Sequence, residues 1–352
     1  MEHCARRRPR LRRWAGTALA LLLVLCLTGT QTASAAAASI SREVLPIGRA
    51  VGIKLFSDGV LVVGLSPVET SSGDRYPGRD CGLKTGDVIT HMDGSEVNTI
   101  EEVQALLAEK ADQPLTLQAM RGERQVQLRT AAVENRSGVY QLGVWLRDSM
   151  AGIGTVTFYD PRSGVFAALG HGISDADTAR LMPLESGGIL RASVSDVKRG
   201  QSGDPGELHG QFQLNRDLGA LYANTARGVF GTAAASPWGK TGQTVPVAQP
   251  RQVHTGAAVI RSNVRGDRVE EFQVRITHLD TGENTDRNLM LQVEDPRLLE
   301  LTGGIVQGMS GSPILQDGRL VGAVTHVLVN DPTRGYGIFA ERMIRQAEES
   351  RR

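Results

Sequence analysis

Apolar residues fall into short runs over most of the chain. Val60-Leu61-Val62-Val63 suits a buried strand, and Val88-Ile89-Thr90-His91-Met92 alternates before an Asp93-Gly94 turn. Ile100, Val103, Leu106 and Leu107 then recur at helical spacing. Thr99, with Glu102 three residues on, predicts a capping box at the start of that helix. Leu115–Met120 and Gln125–Leu128 flank Arg121-Gly122-Glu123 and read as a hairpin. Residues 44–132 therefore predict one small α+β unit closed by a hairpin.

A polar connector covers residues 133–137, and the texture changes from Val139 onward. Short β-like runs follow at 154–159, 165–169, 188–194, 211–214, 244–247, 272–276 and 289–293, punctuated by turns such as Asp160-Pro161-Arg162-Ser163-Gly164. Many short strands of this kind predict a barrel or a sandwich. A helix is expected in the tail, where Ala340, Met343, Ile344 and Ala347 share one face. Composition agrees: 41 Gly and 14 Pro against 4% aromatic residues favour strands and tight turns, and 352 residues suffice for about two domains.

The first residues have a different character. Six arginines between Arg6 and Arg13 precede an apolar run from Trp14 to Gly29, with small residues around Ala33-Ser34-Ala35. Residues 1–38 thus predict a signal peptide or a membrane anchor, with the rest of the chain translocated across a bacterial membrane. Without residues 1–35 the formal charge changes from +1 to about −4, which removes any basic stripe for nucleic acid. Cys81 is then the one cysteine left and the histidines are scattered, so no disulfide framework, metal site or cofactor is expected.

Candidate chemistry centres on Gly308-Met309-Ser310-Gly311-Ser312-Pro313. It precedes an apolar strand, an Asp317-Gly318 turn and a second apolar strand, Leu320–Val324. A nucleophilic serine needs an exposed hydroxyl and converging backbone N–H groups for an oxyanion, and Gly308 and Ser310 are the candidates for those donors. The hydroxyl also needs a base. His171, between Gly170 and Gly172 at the end of an apolar strand, is the first candidate, and His326, after the hairpin, is the competitor.

Two resemblances follow from these motifs. Cys81-Gly82-Leu83-Lys84-Thr85-Gly86-Asp87-Val88-Ile89, with Asp93-Gly94 and the helix behind it, resembles the central signature of a PDZ domain. Such domains add a chain end as a strand and hold its carboxylate on backbone N–H groups of a glycine-containing loop. By resemblance that loop is Gly52-Ile53-Lys54-Leu55.

The segments 170–175, 303–314 and 322–332 together resemble the stage IV sporulation protein B peptidases. That resemblance implies a mainly β chain, with a PDZ domain at 44–132 followed by a chymotrypsin-like double β-barrel serine peptidase at 139–352. It also implies self-cleavage, release between the two forespore membranes, and a protein substrate that is a membrane-bound regulator of an intramembrane protease. The family assigns the orienting acid to the position of Asp295, although Glu294-Asp295-Pro296 equally reads as a helix start, and Asp175 and Asp177 are further candidates. Met309 stands where digestive relatives carry an activating Asp, so control is expected from self-cleavage or the PDZ domain. Two other readings stay open: an inactive PDZ adaptor, and a quality-control protease of the high-temperature-requirement type, in which the PDZ domain follows the protease.

Overall fold

The computed structural model describes residues 42–233, 238, 242–282 and 285–352, and the predicted signal segment at 1–38 lies outside them. Its longest strand, β1 (Glu43–Leu65), does double duty. Val51 and Ile53 enter one core and Val60 and Val62 another, because β1 leaves the first sheet after Phe56 and continues in a second.

The second sheet is the small unit. β2 (Asp87–Met92), helix α1 (Ile100–Lys110), β3 (Pro114–Arg121) and β4 (Arg124–Ala131) follow β1, and β2 pairs with both β1 and β3. The expected capping box is present: the Thr99 hydroxyl accepts from Glu102 N–H while the Glu102 carboxylate accepts from Thr99 N–H. The Gly82–Asp87 motif has a physical reason. Asp87 is buried, accepts from Lys84 N–H at 2.9 Å, and forms a fork with Arg121 at 2.8 and 2.7 Å that locks the loop to β3. Val60, Ile89, Val103, Leu107 and Leu117 fill this core.

The chain returns along β5 (Val144–Asp160), which mirrors β1. Its first residues pair with 61–65 of the small unit, and Ser149–Tyr159 pair with Leu45–Phe56. β6 (Val165–Ala168), β7 (Ser186–Lys198), β8 (Glu207–Thr225) and β9 (Gly228–Thr232) complete the ring β1-β5-β6-β9-β8-β7, closed by the β7–β1 pairing. A second ring is the closed barrel of β10 (Gly256–Arg265), β11 (Arg268–Leu279), β12 (Leu289–Val293), β13 (Pro313–Gln316), β14 (Arg319–Leu328) and β15 (Asp331–Phe339). The β13–β14 loop is the two-residue Asp317-Gly318 turn, with φ of 50° and 71° at its centre, the left-handed geometry that suits Asp-Gly.

The fold is therefore mainly β, a PDZ domain with a chymotrypsin-like double barrel. Helix α2 (Pro296–Thr302) follows β12, and helix α3 (Ala340–Glu349) closes the chain. Met343, Ile344 and Ala347 of α3 share a core with Phe158 and Phe230 of the first barrel and Leu320 and Ile338 of the second, which clamps the barrels together.

Two expectations are corrected here. The PDZ unit does not begin at residue 44: it is carried on the β1–β5 hairpin, and residues 43–56 are already barrel strand. Gly52-Ile53-Lys54-Leu55 is accordingly no carboxylate loop. It lies mid-strand, paired with Met150–Ile153 on one side and Gly187–Leu190 on the other, and the ring of Phe212 occupies the space a side chain at Gly52 would need.

Candidate active site

The loop after α2 carries Ser310 to the junction of the two barrels. Met309 is fully buried in the second core, so its neighbour Ser310 turns toward the junction. Thr155 of β5 bolts the loop to the first barrel: its N–H donates to Ser310 O at 2.9 Å and its hydroxyl to Gly308 O at 2.8 Å. Gly311 has no room for a side chain, because a Cβ there would collide with Thr155 O. Among the described residues, nothing accepts from the N–H of Gly308 or of Ser310. Two unspent backbone donors beside a half-buried hydroxyl are what an oxyanion requires.

His171 arrives from the other barrel. β6 ends at Ala168, Leu169 N–H donates to Thr155 O at 3.2 Å, and the chain then turns through two left-handed residues, Leu169 and Gly170. A left-handed leucine is strained, and it is held by packing into the first core. The His171 Nδ1 lies 2.8 Å from Gly172 O, which leaves Nε2 as the free nitrogen when Nδ1 carries the proton. Burial holds the His171 pKa below its ordinary value, so the ring is neutral near pH 7.

The structure brings both candidate histidines together, with ring centroids 4.9 Å apart. His326 keeps an exposed edge, yet lost hydration on its packed side, then the adjoining His171 and Arg287, push its pKa down to about 4. Ser310 Oγ donates to the carbonyl of Thr325, at 2.7 Å, next to His326. The Thr325 hydroxyl itself is buried without a partner among the described residues.

None of the expected acids meets His171. Asp295 caps α2: its carboxylate accepts from Arg297 N–H at 3.0 Å, from the Arg297 guanidinium, and from Gln273 N–H at 3.2 Å. The Arg297 hydrogen bond holds its pKa low, so it is an anion committed to a helix start on the second barrel. Glu294-Asp295-Pro296 is a helix start, as the plain reading of that segment expects. Asp175 is buried but spent on Asp177 N–H, Thr178 and the Arg147 guanidinium, and Asp177 also pairs with Arg147.

A groove on the PDZ unit lies between Ile100, Val103 and Leu107 of α1 and the chain at Leu142–Leu146 that runs into β5, with a volume of about 940 Å³. Leu142-Gly143-Val144 is a glycine-containing stretch along its edge. The carbonyls of Leu142 and Gly143 are taken by Gly78 and Ser66 N–H, and no acceptor among the described residues takes the N–H of either. Leu142-Gly143-Val144 drew no reading in sequence, because the polar connector before it reads as a domain boundary. Thr155 and Thr325 carried no signal in sequence, since their roles depend on strands that meet across the junction.

The SpoIVB peptidase S55 family matches residues 138–344, more than half of the chain. The chain belongs to that peptidase family. A PDZ domain matches residues 70–121, wholly ahead of the peptidase match, in the order that the family resemblance predicted. Among solved structures, the chain is similar to the PDZ domain of the SdrC-like protein (Lmo2051) from Listeria monocytogenes, at 22% identity over 25% of this chain and 87% of that one, TM-score 0.21. It is also similar to the Rv3671c protease in its inactive form, at 14% identity over 57% of this chain and 84% of that one, TM-score 0.30. No curated protein matches the chain.

Proposed function

We propose that this S55 peptidase is a serine endopeptidase in which Ser310 attacks and His171 takes the proton. The observation that carries the reading is the meeting, at the barrel junction, of the Ser310 hydroxyl, two unspent N–H groups at Gly308 and Ser310, and a neutral histidine pair. In this reading a substrate carbonyl receives the Ser310 oxygen, its oxygen becomes an anion between those two N–H groups, and His171 Nε2 passes the proton to the leaving nitrogen. The Gly172 carbonyl orients the ring through Nδ1, in place of a carboxylate.

Family membership and the signal-like N-terminus support a finer reading: an exported enzyme that cuts its own chain and a membrane-bound regulator of an intramembrane protease, outside the cytoplasm and in the space between forespore membranes. The PDZ groove at Leu142–Leu146 would hold a chain end, with β5 linking it directly to the barrel that carries His171.

A second reading, an inactive PDZ adaptor, is favoured by one observation: the Ser310 hydroxyl is turned to Thr325 O. Fluorophosphonate labelling separates the two. Wild-type protein should label and generate new N-termini, and Ser310→Ala should do neither. Labelling that survives Ser310→Ala sinks the nucleophile assignment, and a wild-type chain that neither labels nor cuts favours the adaptor.

A further inference from the structure

β5 presents two glycines to the same face of the first barrel, and they are used in opposite ways. Above Gly154 the space is taken, because Leu169 and Ile53 crowd the position a Cβ would hold. Above Gly152 a Cβ would meet nothing within 4 Å. The result is a cavity of about 110 Å³ lined only by apolar side chains and backbone, walled by Ile53, Leu169 and Ile173 and opening past Met150 and Ala151 to solvent. Leu169 and Ile173 stand two residues to either side of His171, so the cavity adjoins the proposed base. Through Thr155, whose carbonyl takes Leu169 N–H and whose N–H reaches Ser310 O, it is also tied to the nucleophile loop.

We infer that this cavity is a specificity pocket for one aliphatic side chain of the substrate, on the leaving-group side of the scissile bond. The inference rests on the peptidase reading above. The side follows from which barrel offers what. Thr325 O accepts from the Ser310 hydroxyl on the second barrel, and in this reading the acyl half of a substrate lies along that barrel. The half that departs must then cross to the first barrel, past His171, whose proton it receives. The chemistry follows from the walls. No polar atom lines the pocket except backbone, so a charged side chain would lose its hydration without compensation, whereas Val, Leu or Ile gains by burial. Met150 at the mouth is unbranched and adjusts to the shape of the guest.

Gly152 offers a clean test, since open space above it accepts a side chain. Peptide libraries randomised at the two positions after the cut would be incubated with the wild-type exported chain, Gly152→Ala and Gly152→Leu, and kcat/KM determined for each product. Wild type should favour aliphatic over charged residues at one of these positions by about 10- to 200-fold. Gly152→Leu should erase that preference through a rise in KM, and Gly152→Ala should shift it toward smaller residues. The rate of labelling by a small fluorophosphonate, which leaves the pocket empty, should stay the same in all three. A labelled, cutting enzyme with no such preference, with a preference that survives Gly152→Leu, or with one confined to the acyl side overturns the pocket and leaves the peptidase reading standing. A wild-type chain that neither labels nor cuts removes that reading and the pocket with it.

Discussion

The Ser310 hydroxyl donates to the Thr325 carbonyl across 2.7 Å, and so spends its proton on the second barrel instead of on His171. In the proposed mechanism, a substrate amide N–H that takes Thr325 O would set the hydroxyl free to turn to His171. Removing the hydroxyl should abolish chemistry at little structural cost. Ser310→Ala leaves the carbonyl of buried Thr325 without its donor, worth about 1–3 kcal/mol, so melting should move by a few degrees while labelling and self-cleavage vanish. Circular dichroism melting alongside labelling checks both.

Asp295 gives a sharper contrast. Its bonds to Arg297 and Gln273 make it a helix cap. Asp295→Ala should destabilise the chain by about 1 kcal/mol, with little added by the largely exposed Arg297 partner. Loss of an orienting acid in a serine triad instead costs about 10⁴-fold in kcat. The expected result is a lower Tm with kcat within a few-fold of wild type below the melting range. A 10³-fold or greater loss in kcat with an unchanged Tm would return Asp295 to the catalytic machinery.

How much of this was legible in the sequence differs by kind of residue. Local signals were sound: the Thr99–Glu102 capping box, the Asp317-Gly318 hairpin and the α3 face at Met343 and Ile344 all depend on neighbours within a few positions. The failures came from long-range pairing. Gly52–Leu55 lies next to the PDZ motif in sequence, but its partners are Met150–Ile153 and Gly187–Leu190, about a hundred residues away, and nothing local marks where β1 passes from one sheet to the other. Asp295 is close to Ser310 in sequence and α2 intervenes, so its carboxylate is used before it reaches the junction. Gly172 O, which lies 2.8 Å from His171 Nδ1, is a backbone atom and leaves no trace in residue types.

Thr155 should matter to rate more than to stability. Its hydroxyl holds Gly308 O, and Gly308 supplies one proposed oxyanion donor. Thr155→Val keeps the shape and the backbone bond to Ser310 O but leaves Gly308 O without its donor, so the residue that carries the proposed N–H is held less firmly. Losing one oxyanion donor outright costs about 10²- to 10³-fold, and a loosened donor should cost somewhat less, so about 10- to 100-fold in kcat is expected. Steady-state kinetics with Thr155→Ser as the rescuing variant checks it, since the serine hydroxyl can restore the bond.

The histidine pair fixes the direction of the pH dependence. His171 must be neutral to accept a proton, and burial depresses its pKa from the ordinary 6.5. The acid limb of kcat/KM should therefore fall below pH 6.5, with more than half of maximal activity still present at that pH. Stability carries the same sign. A histidine whose folded pKa is depressed favours the fold above its unfolded value, and that contribution is lost as pH falls from about 6.5 through the lower folded value. His326, pushed down to about 4, adds to the same loss and extends it toward that pH. Chemical denaturation between pH 7.5 and 4 should thus show stability declining from about pH 6.5 downward, in step with two protons taken up on unfolding. An apparent pKa for kcat/KM at or above 6.5, or stability that rises as the pH falls over this range, would contradict the buried neutral pair.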